Sequence, residues 1–148
     1  MAFRKVQGKT KFMHLPVTIS TEFTAGDLVA WNTSAGTLIE ATATTAGPII
    51  VGVIRHTIAT TDADYAVART VEVEVPVEKN VIWECDSIGT GTISATADLG
   101  IYHDIDGGGE LDVTNSTYDI FQATKYISAS KIQGILNIGP ESLNVAGD

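Results

Sequence analysis

The residues that could do chemistry are few and scattered. The histidines are His14, His56 and His103, and none lies in a recognised nucleophile motif. A nucleophile works only when a base and an orienting group converge on it. No Gly-x-Ser-x-Gly elbow occurs. The single cysteine, Cys85, closes the apolar run Val81-Ile82-Trp83-Glu84-Cys85. It reads as a small buried hydrophobe, with no second cysteine for an internal disulfide. Catalytic residues are therefore not expected, and the chain reads as no enzyme. Clustering of His56 or His103 with Asp104 in one pocket would reverse that.

Asp104-Ile105-Asp106-Gly107, with Asp112 beyond, has the outline of a calcium loop, in which several oxygens converge around a sharp glycine turn. Gly108 stands where that pattern wants a third Asp or Asn, so a glycine-rich hairpin with acidic shoulders is the plainer reading. Glu72, Glu74 and Glu78 fall on one strand face. Same-face neighbours there are nearly 7 Å apart, too far to act as an acid/base pair, so a solvated outer face is expected. Gly89-x-Gly91 lacks the third glycine and the following helix of a dinucleotide loop. Trp31, Trp83, Tyr65, Tyr102, Tyr118 and Tyr126 could supply a sugar platform, but the tryptophans sit within strand-like runs, where core packing is the default. No cofactor and no metal is expected.

The sharper signal is electrostatic. Arg4, Lys5, Lys9 and Lys11 all precede the first acid, Glu22, so residues 1–15 carry +4. The rest carries five bases against 18 acids, or −13, in a chain of net charge −9. A body of that sign repels nucleic-acid phosphates. The basic residues are interleaved with Phe3, Val6, Phe12 and Met13. Such a segment reads either as a frayed terminus or, given its apolar residues, as an extended arm, residues 1–15, that becomes ordered against a neighbouring surface. Phe3, Arg4, Lys5, Val6, Lys9, Lys11 and Phe12 are its candidate partner-binding residues.

The elements that position these groups are strands. The 148 residues fit one domain, and Val, Ile and Thr supply 48 of them. These β-branched types suit pleated, half-buried surfaces. Leu28–Trp31 and Thr37–Glu40 flank a polar loop and read as a hairpin. Ile49–Ile54 is a strand buried on both faces, with Gly52 marking a bulge or close approach. Val71, Val73, Val75 and Val77 alternate with Glu72, Glu74, Pro76 and Glu78, and Pro76 places that strand at a sheet edge or a bulge. Thr61-Asp62-Ala63-Asp64 has the form of a capping box opening one or two helical turns. Ile101–Ile105 and Glu110–Val113 flank Asp106–Gly109 as a further hairpin, and Lys131–Ile138 closes a sheet. The expected fold is mostly β: one compact domain of short antiparallel strands, a small β-barrel or β-sandwich over residues 16–139, with a loose tail at 140–148. No run approaches a membrane span or a leader's apolar core, so a soluble, non-secreted chain is expected.

Ala25-Gly26-Asp27-Leu28-Val29-Ala30-Trp31-Asn32, an Ala/Thr-rich loop, and Ile50-Val51-Gly52-Val53-Ile54 together resemble the head decoration (cement) proteins of tailed bacteriophages, the lambda-like type among them. Thr96-Ala97-Asp98-Leu99-Gly100-Ile101-Tyr102 is similar to a segment of longer relatives in that group. The resemblance covers residues 16–105 loosely, and the chain departs from the lambda type in its length and in the glycine hairpin near Gly108. It implies a virion protein on the outer capsid surface, made in the host cytoplasm. Its partners would be the major capsid protein and copies of itself, a homotrimer in the first instance, with neither nucleic acid nor membrane involved. The resemblance also implies an N-terminal arm that reaches across the shell. A different virion β-module, such as a fibre base or a carbohydrate-binding domain, is the alternative.

Overall fold

The computed structural model describes residues 2–45 and 49–138. Twelve strands follow one another: β1 (Phe3–Gln7), β2 (Thr10–Pro16), β3 (Leu28–Asn32), β4 (Thr37–Glu40), β5 (Ile50–Ile54), β6 (Thr70–Pro76), β7 (Ile82–Cys85), β8 (Ile88–Thr90), β9 (Tyr102–Gly107), β10 (Glu110–Asp112), β11 (Phe121–Ser128) and β12 (Lys131–Leu136). No α-helix occurs among the described residues. One sheet has seven strands in the order β1-β7-β12-β11-β9-β10-β8, the other five in the order β2-β6-β5-β3-β4. The mostly β, single-domain expectation holds, and the architecture is a two-sheet sandwich rather than a closed barrel.

Two apolar clusters account for this shape. The larger lies between the sheets, joining Leu28, Ala30, Ile50 and Val53 to Phe3, Trp83, Cys85, Leu111, Phe121 and Ile132. The smaller is built on the opposite face of the five-stranded sheet, from Leu15, Val17, Val29, Leu38, Val51, Ile54, Val71, Val73 and Val75. That sheet curls until Val17, just past β2, bridges Leu38 of β4. It is therefore apolar on both faces, and all five residues of β5 are buried. Continuous β-branched runs are what such a doubly covered strand requires. At Gly52 the β3–β5 register shifts between Val29 and Ala30, so the expected bulge is present.

Several local expectations are corrected. Residues 1–15 are extended, as expected, but they form no arm separate from the body. β1 pairs with β7 from Phe3↔Cys85 to Gln7↔Ile82, and β2 pairs with β6 along its whole length. Gly8, at φ +107°, carries the chain from one sheet to the other. The physical reason is that Phe3 and Leu15 gain more by entering the two cores than by waiting for a partner. Residues 61–68 form a chain of turns: Ala59 accepts from Asp62, Asp62 from Tyr65, and Asp64 from Val67. Asp62 accepts the Ala59 N–H at 3.0 Å and so closes the first of these turns, but the expected Thr61–Asp64 box opens no helix. β6 lies inside its sheet, not at an edge. Pro76 is tolerated because its pairing with β5 ends at Glu74, beyond which no amide is needed on that side. Glu74 is not solvated like Glu72 but buried. The strand β11 had no counterpart in the sequence reading, and the tail at 140–148 lies outside the described residues.

Candidate functional site

The seven candidate binding residues divide between the core and the surface. The Phe3 ring is fully buried, and its centroid lies 6.4 Å from that of Phe121. Arg4 and Lys5 are committed within the chain. Arg4 donates through Nη2 to Glu84 Oε2 at 2.6 Å. Glu84 stands between Arg4 on β1 and Gln133 on β12, in register with both. The Gln133 amide at 3.0 Å and the Arg4 guanidinium hold its carboxyl below the usual glutamate range. Lys5 Nζ donates to Thr10 Oγ1 at 3.3 Å and lies 4.0 Å from Glu74 Oε2. Thr10 in turn donates to Glu74 at 2.7 Å, and Arg55 Nε lies 3.6 Å from the other oxygen. These contacts offset the burial of the Glu74 side chain.

Val6, Lys9, Lys11 and Phe12 remain at the surface, with Phe12 55 % exposed. Val77, at the far end of β6, is exposed beside them: its amide donates to the Lys9 carbonyl. Each of β1 and β2 is the terminal strand of its sheet. One short stretch of chain thus presents the outer side of β1 and the Thr10–Phe12 end of β2, whose other end is bridged to β4, together with two lysines and two apolar side chains. An unpaired strand edge is a template for another strand, and edge lysines discourage unspecific pairing.

The groups considered for catalysis and metal binding are separated. His56 and His14 line a shallow groove with Arg55, Arg69 and Glu72. Arg69 there pairs with Asp64 at 2.6 Å. His103 and Asp104 lie on β9, in the other sheet, and both are buried. His103 Nε2 is 3.2 Å from the Asp98 carbonyl. The Asp104 carboxylate accepts the amides of Thr117 (2.9 Å), Tyr118 (2.8 Å) and Asp119 (2.9 Å), pinning the loop that enters β11. Asp106 accepts from the Thr90 hydroxyl, and Asp112 from the Thr114 amide and hydroxyl at 2.9 and 2.6 Å. Asp104 and Asp112 therefore both hold the connection between β10 and β11, while Asp106 turns to the end of β8. Among the described residues no group of three His, Cys, Asp or Glu side chains is placed to hold a metal ion. Burial pushes the Cys85 thiol up to about 12, so at neutral pH it is a thiol packed in the core rather than a nucleophilic thiolate.

The role of Asp104 leads to a prediction. Asp104→Ala orphans three amides and should cost about 2 kcal/mol in urea denaturation, whereas Asp112→Ala on the exposed turn should cost less than about 1 kcal/mol. Equal costs would show that the Asp104 amide cluster is not structural.

Of the aromatic residues, Trp83 is buried and Trp31 packs against the smaller core with its indole nitrogen out of solvent. Tyr102 is 38 % exposed and borders a small pocket with Gln122 and Lys79. Sequence reasoning missed the acidic recess where Asp27, Glu40, Asp86 and Glu110 meet. These four are dispersed along the chain, and the β3–β4 hairpin, the β9–β10 hairpin and the end of β7 bring them together.

No protein-family model matches the chain, and no curated protein matches it in sequence. No helix among the described residues is long and apolar enough to cross a membrane.

Proposed function

We propose that this protein is a structural capsid-decoration protein, binding the outer surface of a phage head and clamping neighbouring major capsid subunits. One observation carries the reading. The cationic N-terminal residues of an otherwise acidic chain form the outer strands of both sheets, with Val6, Lys9, Lys11 and Phe12 facing solvent. A neighbour's extended segment can add to such an edge through backbone hydrogen bonds, with alternate side chains supplying specificity. The two segments that resemble decoration proteins, Ala25–Asn32 and Ile50–Ile54, lie side by side as β3 and β5, in the register Leu28↔Val53 and Val29↔Gly52. The function requires no catalytic group. A homotrimer bound at each site would multiply a modest interface, since linked contacts raise the effective concentration of each other. A single stable interface buries roughly 1,600 Å², more than four surface side chains supply, so the body contributes as well. The alternative of a carbohydrate-binding module has less support, because Trp83 is buried and Trp31 is half-buried against the smaller core.

The clamp is tested by the triple variant Lys9→Glu, Lys11→Glu, Phe12→Ser, whose sites are all exposed and whose fold should be unperturbed. In co-sedimentation with expanded heads of the encoding phage, the intact chain is expected to pellet with the heads and raise their heat resistance. The variant is expected to lose at least tenfold in apparent affinity. Equal binding by the variant would remove the clamp from the N-terminal edge. A failure of the intact chain to bind heads would refute the decoration role itself, and glycan binding in that case would favour the alternative.

A further inference from the structure

The acidic recess lies where the two sheets are tied together. Asp27 immediately precedes β3, Glu40 ends β4, and Glu110 opens β10 of the opposite sheet. Backbone bonds converge here: Leu28 N–H donates to the Gly108 carbonyl at 2.7 Å, Ile54 N–H to Asp27 at 2.9 Å and Phe3 N–H to Gly26 at 2.9 Å. Thr42 forms a bridge with Gly107. The Asp27 carboxyl packs directly on the glycine turn, since a Cβ at Gly109 would stand 2.5 Å from Asp27 Oδ1. Its carboxyl shares the recess with that of Glu40. Two ionised carboxylates only accept, so a hydrogen bond between them exists only while the pair holds a proton.

We propose that Asp27 and Glu40 form a proton-sharing clasp that fastens the glycine turn 107–109 of the seven-stranded sheet to the β3–β4 end of the other, and that loss of the proton loosens this end of the sandwich and the β1 strand anchored there.

The charged groups around the pair decide the direction. Burial, followed by hydrogen bonding of the protonated carboxyl to Glu40 and by the Glu40 charge, raises the Asp27 carboxyl from 3.8 to about 7; Glu110 adds to the rise. Asp86 lines the same recess and is a further acid. The folded state therefore binds this proton more tightly than the unfolded chain. The stabilisation is full below about pH 4 and is lost as the pH climbs through about 7. The proton belongs to the pair rather than to one residue.

Thermal melts between pH 5 and 8.5 test the clasp, alongside a carbon-13 carboxyl titration of Asp27 in the intact protein. The wild type is expected to lose about 5 °C more in Tm across this range than Asp27→Asn. The difference removes the contributions of the histidines, which both proteins share. Glu40→Gln keeps a hydrogen-bonding partner but removes the repulsion, so the Asp27 midpoint should fall by at least one pH unit. Amide exchange at Leu28 and Phe3 should quicken with rising pH more steeply in wild type than in either variant. An Asp27 resonance titrating near pH 4 in the wild type, or parallel Tm profiles for wild type and Asp27→Asn, would overturn the proposal. Should Asp27→Asn fail to fold, the carboxyl titration of the intact chain decides by itself.

Discussion

Phe3→Ala is expected to destabilise the protein by about 3–5 kcal/mol, the usual cost of emptying a fully buried aromatic site. The ring is completely shielded and tilted at 57° against Phe121. Its backbone is held from two sides, pairing with Cys85 on β7 and donating to Gly26. No nearby side chain can slide in to fill the space without breaking that pairing. Phe12→Ala, nine residues on, removes the same ring from an exposed position and should cost under about 0.5 kcal/mol. Urea denaturation of the two variants separates the roles of the N-terminal stretch: Phe3 builds the body, while Phe12 is available to something else. A cost below about 1 kcal/mol for Phe3→Ala would mean that β1 is not part of the core. The same reasoning explains why deleting residues 1–12 is a poor test of binding. It would remove Phe3 and the outer strand of each sheet together with the surface residues of interest.

The second large effect is expected at Gly52. A Cβ there would lie deep inside the van der Waals radius of the Glu74 carbonyl oxygen and 3.1 Å from its carbon, with Val73 Cγ1 at 3.3 Å. The obstacle is backbone, so no side-chain rotation relieves it. β5 would have to move away from β6 at the centre of a sheet covered on both faces. Gly52→Ala should therefore cost about 3 kcal/mol or more, above the common range for overpacking. Movement of Glu74 would also disturb its contacts with Thr10, Arg55 and Lys5. Gly36→Ala is the matched control. Nothing lies within 4 Å of a Cβ at Gly36, and the cost is limited to its left-handed φ of +69°, about 1–2 kcal/mol. Thermal melts of both variants rank the two effects. A Gly52→Ala protein as stable as the control would show that β5 and β6 do not approach as closely as described.

These two positions also bear on the proposed role. A decoration protein has to keep its binding edge rigid enough that ordering it on the capsid costs little. Here the edge residues Lys9, Lys11 and Phe12 are carried on a strand whose inward neighbours, Met13 and Leu15, pack into the smaller core. Arg4 and Lys5, read from sequence as partner contacts, also pair with Glu84 and Glu74 within the chain, Arg4 with its side chain still 57 % exposed.

The sequence alone determined the β class, the β3–β4 hairpin, the buried run of β5 with its bulge at Gly52, and the hairpin around Gly107–Gly109. Each of these rests on a local signal: alternation, a turn composition or a β-branched run. The asymmetry of charge was equally legible. Only the tertiary structure decided whether the basic stretch was an arm or an edge, because alternating Phe3, Lys5 and Gln7 look the same in either state until a core exists to receive the phenyl ring. The same holds for Glu74, which resembles Glu72 in the alternating strand and differs only in having Arg55 and Thr10 arrive from other strands. Asp104, Asp27 and Glu40 acquired their roles in this way too. Local sequence sets the conformational preference of a segment, but the environment of a charged group is assembled from residues distant along the chain, and only folding brings them within reach.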